Sequence, residues 1–516
     1  MNRTSAALAR TRWWALGALT LLSFAAGWDA TVLNVALPTL AGSLHASEGE
    51  LQWFVSGYLL TLAAALLPGG LLADRYGRRL IIIGSLVVFG AGSIACAYAP
   101  SPAVFIAARL VMGVGAGALT PAILSVITVL FDGDERSRAV GIWYAASFIS
   151  LPVGPVLGGW VLAHAWWGWV FLINVPLTVI ALLAVAAWVP ESRAESRPAI
   201  DVPGIVASSL GLTALVYGLI EAGQAGWTDR GADLVMAAGI ALLAGFVGWE
   251  RHLAGRPGGQ PLVDLGLFRA PSFAAGTVLA GTGLFALYGA LFVEPQYFQA
   301  ILGSDAQDSG LRLLPLVVGL VAGAVPADRL AARIGAKLTV AAGLAAITVG
   351  LGLGATTSPA SDGTFAATWT AIVGLGAGMV GATASAAALS ALSAEAAGVG
   401  SALMQMVQKT AAPLSAAVLG SVLNATYQGH LSRLVLPADA AAAVNASVFG
   451  GQRVARQLGS ADLRSAVEAA FVAGVSAVAL VAAAVAALGI LLALRFLPAR
   501  TGRSGGQEHA GAVGVG

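Results

Sequence analysis

Four ionisable residues stand inside long apolar stretches of this chain: Asp29 in "AAGWDATVLNVALP", Arg109 in "ARLVMGVGAG", Glu294 in "LFVEPQYFQ" and Lys409 in "LMQMVQKTAA". In a bilayer each costs roughly 2.5–3.5 kcal/mol on the insertion scale, so each calls for a partner or a purpose. Burial disfavours the charged form of a carboxyl, and a carboxyl that is alternately wet and dry can load and release a proton. Asp29 lies about sixteen positions into its helix, roughly 24 Å of rise, past the midplane. The competing reading is a polar spot that fixes helix packing through Thr31 and Asn34; Asn34, five residues on, lies on another face. Arg109 shares its face with Gly113 and Gly117, so it should meet a buried carboxylate or a wet cavity. Glu294 precedes Pro295, whose bend could open backbone beside it. A functional and an interfacial role are both open for Glu294. Lys409, next to Gln408, reads either as a counter-ion or as a snorkelling lysine.

Other chemistries are poorly supported. The chain has no P-loop GxxxxGK[ST] and no nucleophile–base constellation, so neither ATP-driven work nor enzymatic catalysis is expected. A single cysteine, Cys96, excludes an internal disulfide, and the five histidines are too scattered for ligand-spaced pairs, so no metal and no cofactor is expected.

The elements that hold these residues are membrane helices. Hydrophobic residues make up 58% of the 516 and charged residues 10%, against roughly 25% charged in soluble domains. Mean hydropathy is +0.84. The net charge of +2, spread over short loops, argues against a nucleic-acid partner. Apolar segments of spanning length fall near 13–37, 51–72, 80–99, 104–129, 139–163, 168–188, 203–222, 232–250, 272–300, 310–328, 338–356, 366–391, 399–424 and 471–495, fourteen in all. The first follows Arg3, Arg10 and Arg12 and is read as an uncleaved membrane helix. With both termini inside, inner segments carry nineteen Lys and Arg against six outside, in accord with positive-inside bias.

An internal echo links "GGLLADRYGRR" at 69–79 with "GAVPADRLAARIGAK" at 323–337, where Asp328 and Arg329 repeat Asp74 and Arg75. Repeat-built helical bundles with a central site are the mark of secondary transporters. The expected architecture is all-α and integral to the membrane. It has a cytoplasmic N-terminus (1–12), a six-helix bundle (13–188), a two-helix insertion (203–250), a second six-helix bundle (272–495) with a polar outer loop at 425–470, and a disordered cytoplasmic tail (496–516). In the first loop Asp74 can pair with basic neighbours while Gly77 permits a tight turn, a latch that could close two bundles in one state only.

Several of these strings resemble the major facilitator superfamily, in its fourteen-helix drug:proton antiporter branch. Gly70, Asp74, Arg75, Gly77, Arg78 and Arg79 match its cytoplasmic loop motif. "WDATVLNVALP" and "LQWFVSGYLLTLAA" are similar to its first two helices, "SLPVGPVLGGW" to the antiporter motif of its fifth, and "WVFLINVPL" to the entry of its sixth. The resemblance is dense from about 25 to 190 and looser beyond. It implies the major facilitator fold, proton coupling at Asp29 and Arg109 with Glu294 assisting, and a cytoplasmic gate that includes Asp328 and Arg329. It also implies an exchange-favouring fifth helix through Gly154, Pro155, Gly158 and Gly159, although Ser150 stands where the family often has Gly and Pro152 adds a bend. Met112 replaces a residue that is usually polar beside the fourth-helix arginine. Trp53, Tyr58, Tyr144, Tyr288 and Phe292 are candidates for a greasy, cation-tolerant cavity. The implied activity is export of hydrophobic, often cationic, drugs or antibiotics across a bacterial plasma membrane. The proton motive force would drive it, with small molecule, protons and lipid as partners and the chain as a monomer. A proton-coupled nutrient transporter and a non-transporting membrane sensor are the alternatives.

Overall fold

A computed structural model describes residues 3–131, 133–193, 201–256, 259, 261–392, 397–432 and 438–497. Its regular structure is helical, with no strand among the described residues. In chain order the helices are α1 (Arg3–Leu44), α2 (Glu48–Tyr76), α3 (Arg78–Ala97), α4 (Pro102–Leu130), α5 (Gly133–His164), α6 (Trp169–Leu172), α7 (Asn174–Trp188), α8 (Val202–Ala225) and α9 (Arg230–Ala254). A 3-10 turn at Leu265–Arg269 leads to α10 (Pro271–Ala300), α11 (Ala306–Arg312), α12 (Leu314–Ile334), α13 (Ala336–Gly354), α14 (Gly363–Leu389) and α15 (Ala397–Leu431). The last three are α16 (Ala438–Ala446), α17 (Val448–Leu458) and α18 (Ala461–Phe496).

Eleven of the described helices or continuous helix pairs are long and apolar enough to cross a membrane, twelve if α2, bent by 46° between Leu66 and Pro68, is one span. Proline at 68 removes a backbone donor and disfavours a straight helix, which accounts for the bend. Side chains on the outer faces are apolar, as with Leu183, Leu234, Val318 and Leu491, each more than half exposed. Such a surface suits hydrocarbon, and the chain is a multi-pass membrane protein.

Where helices approach closely, small residues allow it, and the same device occurs twice. Gly113 and Gly117 of α4 abut the carbonyl oxygens of Tyr58 and Leu62 on α2; Gly374 and Gly378 of α14 abut those of Leu316 and Leu320 on α12. In all four places a Cβ would overlap a carbonyl, so the backbones meet only because no side chain intervenes. The loop echo has the same duplicate character. Gly77 (φ 128°) joins α2 to α3 and Gly335 (φ 90°) joins α12 to α13, both in backbone conformations that side chains resist.

The start of α2 carries a complete capping box: Glu50 N donates to Ser47 Oγ at 3.3 Å, and Ser47 N donates to Glu50 Oε2 at 2.8 Å. Ser47→Ala should therefore lower stability by about 0.5–2 kcal/mol without changing the fold, measurable as a fall in Tm of the purified protein.

The stretch 425–470, expected as a polar outer loop, is largely helical among its described residues: α15 runs on to Leu431, α16 and α17 follow, and α18 starts at Ala461. Its segments bury Tyr427, Val444, Val448, Val454, Ala455 and Val467 in the main core. Ser447 and Ser460 cap the N-termini of α17 and α18, while Gly459 (φ 61°) ends α17. Polar residues on the outer face of α17 disguise this packing in the composition. Helix also reaches back to Arg3 through the stretch expected to precede the first span. The expected tail beyond Leu497 lies outside the described residues.

Candidate functional site

Asp29 and Arg109 meet, although 80 residues separate them. Arg109 Nη1 donates to Asp29 Oδ2 at 2.5 Å, and the two side chains are 1% and 0% exposed. The arginine is held from other sides as well. Its Nε donates to the Phe54 carbonyl at 3.1 Å, and its guanidinium lies 4.2 Å from the centre of the Tyr58 ring. Tyr58 is fixed in turn by donating to the Ala26 carbonyl at 3.2 Å. The other carboxylate oxygen of Asp29 accepts from Asn174 Nδ2 at 3.1 Å, and Asn174 also reaches Ser93 Oγ at 3.4 Å. Thus α1, α2, α3, α4 and α7 converge on one buried charge pair.

Such a pair keeps both charges only while it is intact, because loss of either partner strands the other without water. Protonation of Asp29 would remove the charge that holds α1 to α4. The arrangement is suited to converting a proton into a helix displacement.

Sequence reasoning missed Asn174. Its signal was available, since it is the one strongly polar residue in "WVFLINVPL", placed where α6 gives way to α7. Thr31 and Asn34 do not hold Asp29. Thr31 donates to the carbonyls of Gly27 and Trp28, and Asn34 donates to that of Thr31, all at 3.3 Å. Met112 fills the space beside the pair, its sulfur 4.0 Å from Arg109 Nη1 and 3.7 Å from Ser93 Oγ.

Glu294 is not part of this network. It is buried on α10 with neither carboxyl oxygen partnered, beside a cavity of about 20 Å³ walled by Leu351, Trp369, Leu419, Val475 and Val478. That space is about the size of one water. Of the aromatic candidates, Tyr58 belongs to the charge pair, Phe292 is fully buried and Tyr288 is partly buried. Trp53 turns instead toward Tyr217 of α8, ring centres 6.1 Å apart, in a cluster with Leu60, Leu212 and Val216. The side chain of Tyr144 lies outside those described.

The loop motif ties its own neighbourhood together. Arg78 Nη2 pairs with Asp74 Oδ1 at 2.9 Å, Arg78 N donates to the Ser192 carbonyl at 3.0 Å, and Arg79 Nη2 donates to the Ala186 carbonyl at 2.5 Å. Glu191 accepts from Arg79 N at 3.3 Å. Arg75 lies over Tyr76, and Gly70 faces Pro121 of α4. The contacts of Asp74, Arg78 and Arg79 thus bind α2 and α3 to the end of α7, while Asp328 and Arg329 are exposed on α12.

The antiporter motif has two faces. Gly154 and Gly158 lie against Thr31 and Val32 of α1; Gly159 lies against the Ala306 carbonyl of α11, and the Pro155 carbonyl against Gly310. The second face joins residues 12–188 to residues 271–496, and other joining contacts fall at the same end. Gln299 Nε2 donates to the Val35 carbonyl at 3.1 Å, and Gln52 of α2 sits on Gly420 of α15. These contacts lie at the end of the molecule opposite the 69–79 loop.

The Major Facilitator Superfamily family model matches residues 19–416, and the chain belongs to that superfamily of transporters; it is not an enzyme. It is 32% identical over 414 residues to "Multidrug resistance protein Stp" of Mycobacterium tuberculosis (strain CDC 1551 / Oshkosh), covering 79% of this chain and 76% of that one. With the "Tetracenomycin C resistance and export protein" of Streptomyces glaucescens it shares 33% over 419 residues, covering 80% and 77%. Among solved structures, a bacterial homologue of the human lysosomal transporter Spinster, inward-facing and unoccupied, superposes with a TM-score of 0.65 at 16% identity, covering 95% of this chain and 98% of that one. The likeness to that structure is one of fold.

Proposed function

We propose that the protein exports hydrophobic, often cationic, drugs or antibiotics from a bacterial cell in exchange for protons, by alternating access. The observation that carries this reading is the buried Asp29–Arg109–Asn174 network, in which one carboxylate binds three spans. Fourteen spans are assigned by adding α5 and α15 to the twelve, with α8 and α9 as the insertion between two six-helix bundles. Both termini and the 69–79 loop face the cytoplasm, as the arginine distribution favours. The joining contacts through Gln52, Gln299 and Gly159 then close the outer side, and the conformation is inward-facing.

In the cycle a proton arriving from outside neutralises Asp29 and frees it from Arg109. Helix α1 then moves relative to α4, and the face of α5 that touches α11 follows. Return of the proton to the cytoplasm restores the pair. Each charge moved contributes about 2.3 kcal/mol per 100 mV of membrane potential. No cofactor is required, and a single chain suffices.

Glu294 is assigned as a second, assisting proton site, since an unpartnered buried carboxyl is most readily accommodated neutral. Glu294→Gln should leave binding intact and lower the proton dependence of efflux, seen as a flatter pH profile of dye transport. Everted vesicles with an imposed proton gradient test the whole reading: gradient-dependent dye accumulation is expected, and its absence with every dye tried would refute export.

A further inference from the structure

We propose that Asp201 and Glu250 form a proton-binding site at the paired ends of α8 and α9, with a single proton held between Asp201 Oδ2 and Glu250 Oε1. The site lies apart from the Asp29 network and goes beyond the export reading. With its proton bound it fastens the inserted helices to the start of the second bundle; without it the fastening loosens. On the orientation assigned above this end meets the cytoplasm, and the site responds to the pH there.

Asp201 is the N-cap of α8, its Oδ1 accepting from Gly204 N at 3.1 Å and from Trp249 Nε1 of α9 at 2.8 Å. Glu250, the next residue after Trp249, accepts from Val263 N at 3.0 Å through Oε2. Each carboxyl thus uses one oxygen to hold structure, while the other, Asp201 Oδ2 or Glu250 Oε1, is buried without a partner. The two residues are 6% and 0% exposed. Both free oxygens would overlap a Cβ on Gly204, so they face one gap within about 5 Å of each other, a range in which like charges oppose each other's ionisation. Away from water, two carboxyls so placed are stable when one proton is shared between them as O–H···O, which satisfies both free oxygens and leaves one charge instead of two.

The charged groups around the pair are directed elsewhere. Arg251, His252 and Arg256 at the end of α9, and Asp264 and Arg269 of the segment that follows, are exposed. On α2, which packs against α8, Asp74 pairs with Arg78 and Arg75 lies over Tyr76. Helix α14 has no charged residue, and the one on α10, Glu294, lies near its far end. Lys409 of α15 is five residues, about 7.5 Å of rise, past Met404. The effect of the proton runs through Val263. This residue belongs to one apolar cluster with Phe246 of α9, Phe273 of α10, Ala388 of α14, and Leu403 and Met404 of α15. Ionising both carboxyls sets like charges against each other, drives Glu250 from Asp201, and weakens its hold on the Val263 amide and so on these helices.

Hydrogen–deuterium exchange of the purified full-length protein, without gradient or substrate, tests this at about pH 6 and about pH 9, with exchange times scaled for the intrinsic pH dependence. In the wild type, peptides spanning 261–268 should lose roughly tenfold or more of their protection at the higher pH. Glu250→Gln should keep its protection at both, because its Nε2 donates where the proton sat and its Oε1 still accepts from Val263 N. Asp201→Asn, which donates from the opposite side of the gap, should do the same. Wild-type protection that does not change with pH would overturn the proposal, as would an equal loss in all three proteins. Recovery of wild-type protection at the higher pH with sodium or calcium chloride, but not with choline chloride, would also overturn it by assigning the gap to a metal ion. The readout does not involve transport, so its failure leaves the export reading untouched, and failure of dye flux leaves this site in place.

Discussion

Asp29→Asn is expected to abolish proton-driven efflux while leaving the protein folded and able to bind substrate. Asparagine keeps an acceptor for Arg109 and cannot ionise, so the connection between α1 and α4 no longer responds to protons. Arg109 retains the Phe54 carbonyl and the Tyr58 ring, which soften the loss of its counter-ion. The reciprocal change should behave differently. Arg109→Ala leaves a carboxylate that is 0% exposed with only Asn174 beside it, and breaking a buried pair in this way costs about 3–5 kcal/mol. A marked fall in Tm is expected for Arg109→Ala, with most of it recovered in the double variant carrying Asp29→Asn, although transport stays lost in both. Equal Tm values for the single and double variants would show that the pair is not the energetic unit described.

Gly159→Val is expected to bias the carrier away from the conformation seen here. The added side chain would collide with the Ala306 carbonyl of α11, a backbone atom with little freedom to yield. Because this contact joins the two sets of helices at the closed end, the cheapest relief is separation there. Gln52 reports on it, being fully buried against Gly420. A cysteine placed at 52, in a background with the buried Cys96 replaced by alanine, should react slowly with a membrane-impermeant maleimide. Adding Gly159→Val should speed labelling about tenfold or more, the result of a population shift of some 1.4 kcal/mol. Unchanged reactivity would mean that α5 and α11 do not govern opening of that end.

Much of this site is legible in the sequence. Asp29 and Arg109 announced themselves by charge in apolar helices, and the small residues beside Arg109 indicated that it faced protein. Asn174 was overlooked because a neutral amide in a span draws less notice than a charge, and its role depends on a helix break that residue types alone do not locate. Trp53 was placed in the cavity on aromatic character, yet burial against α8 follows from the path of the inserted helices, a tertiary matter. The stretch 425–470 misled for a different reason. Its polar composition suggested a loop, whereas serine caps and an apolar face on α17 make it helical and packed. The loop motif was expected to latch two bundles on the cytoplasmic side in one state only. Here Arg78 and Arg79 bind the end of α7, a choice among partners that spacing cannot make.

Substrate-induced proton release from the purified carrier tests the central claim most directly. In weakly buffered solution containing a pH indicator, at a pH where the wild-type protein is protonated at Asp29, saturating dye should displace a proton from the wild type and none from Asp29→Asn. Release of the same size from both proteins would contradict the account, because the coupling proton would then reside elsewhere.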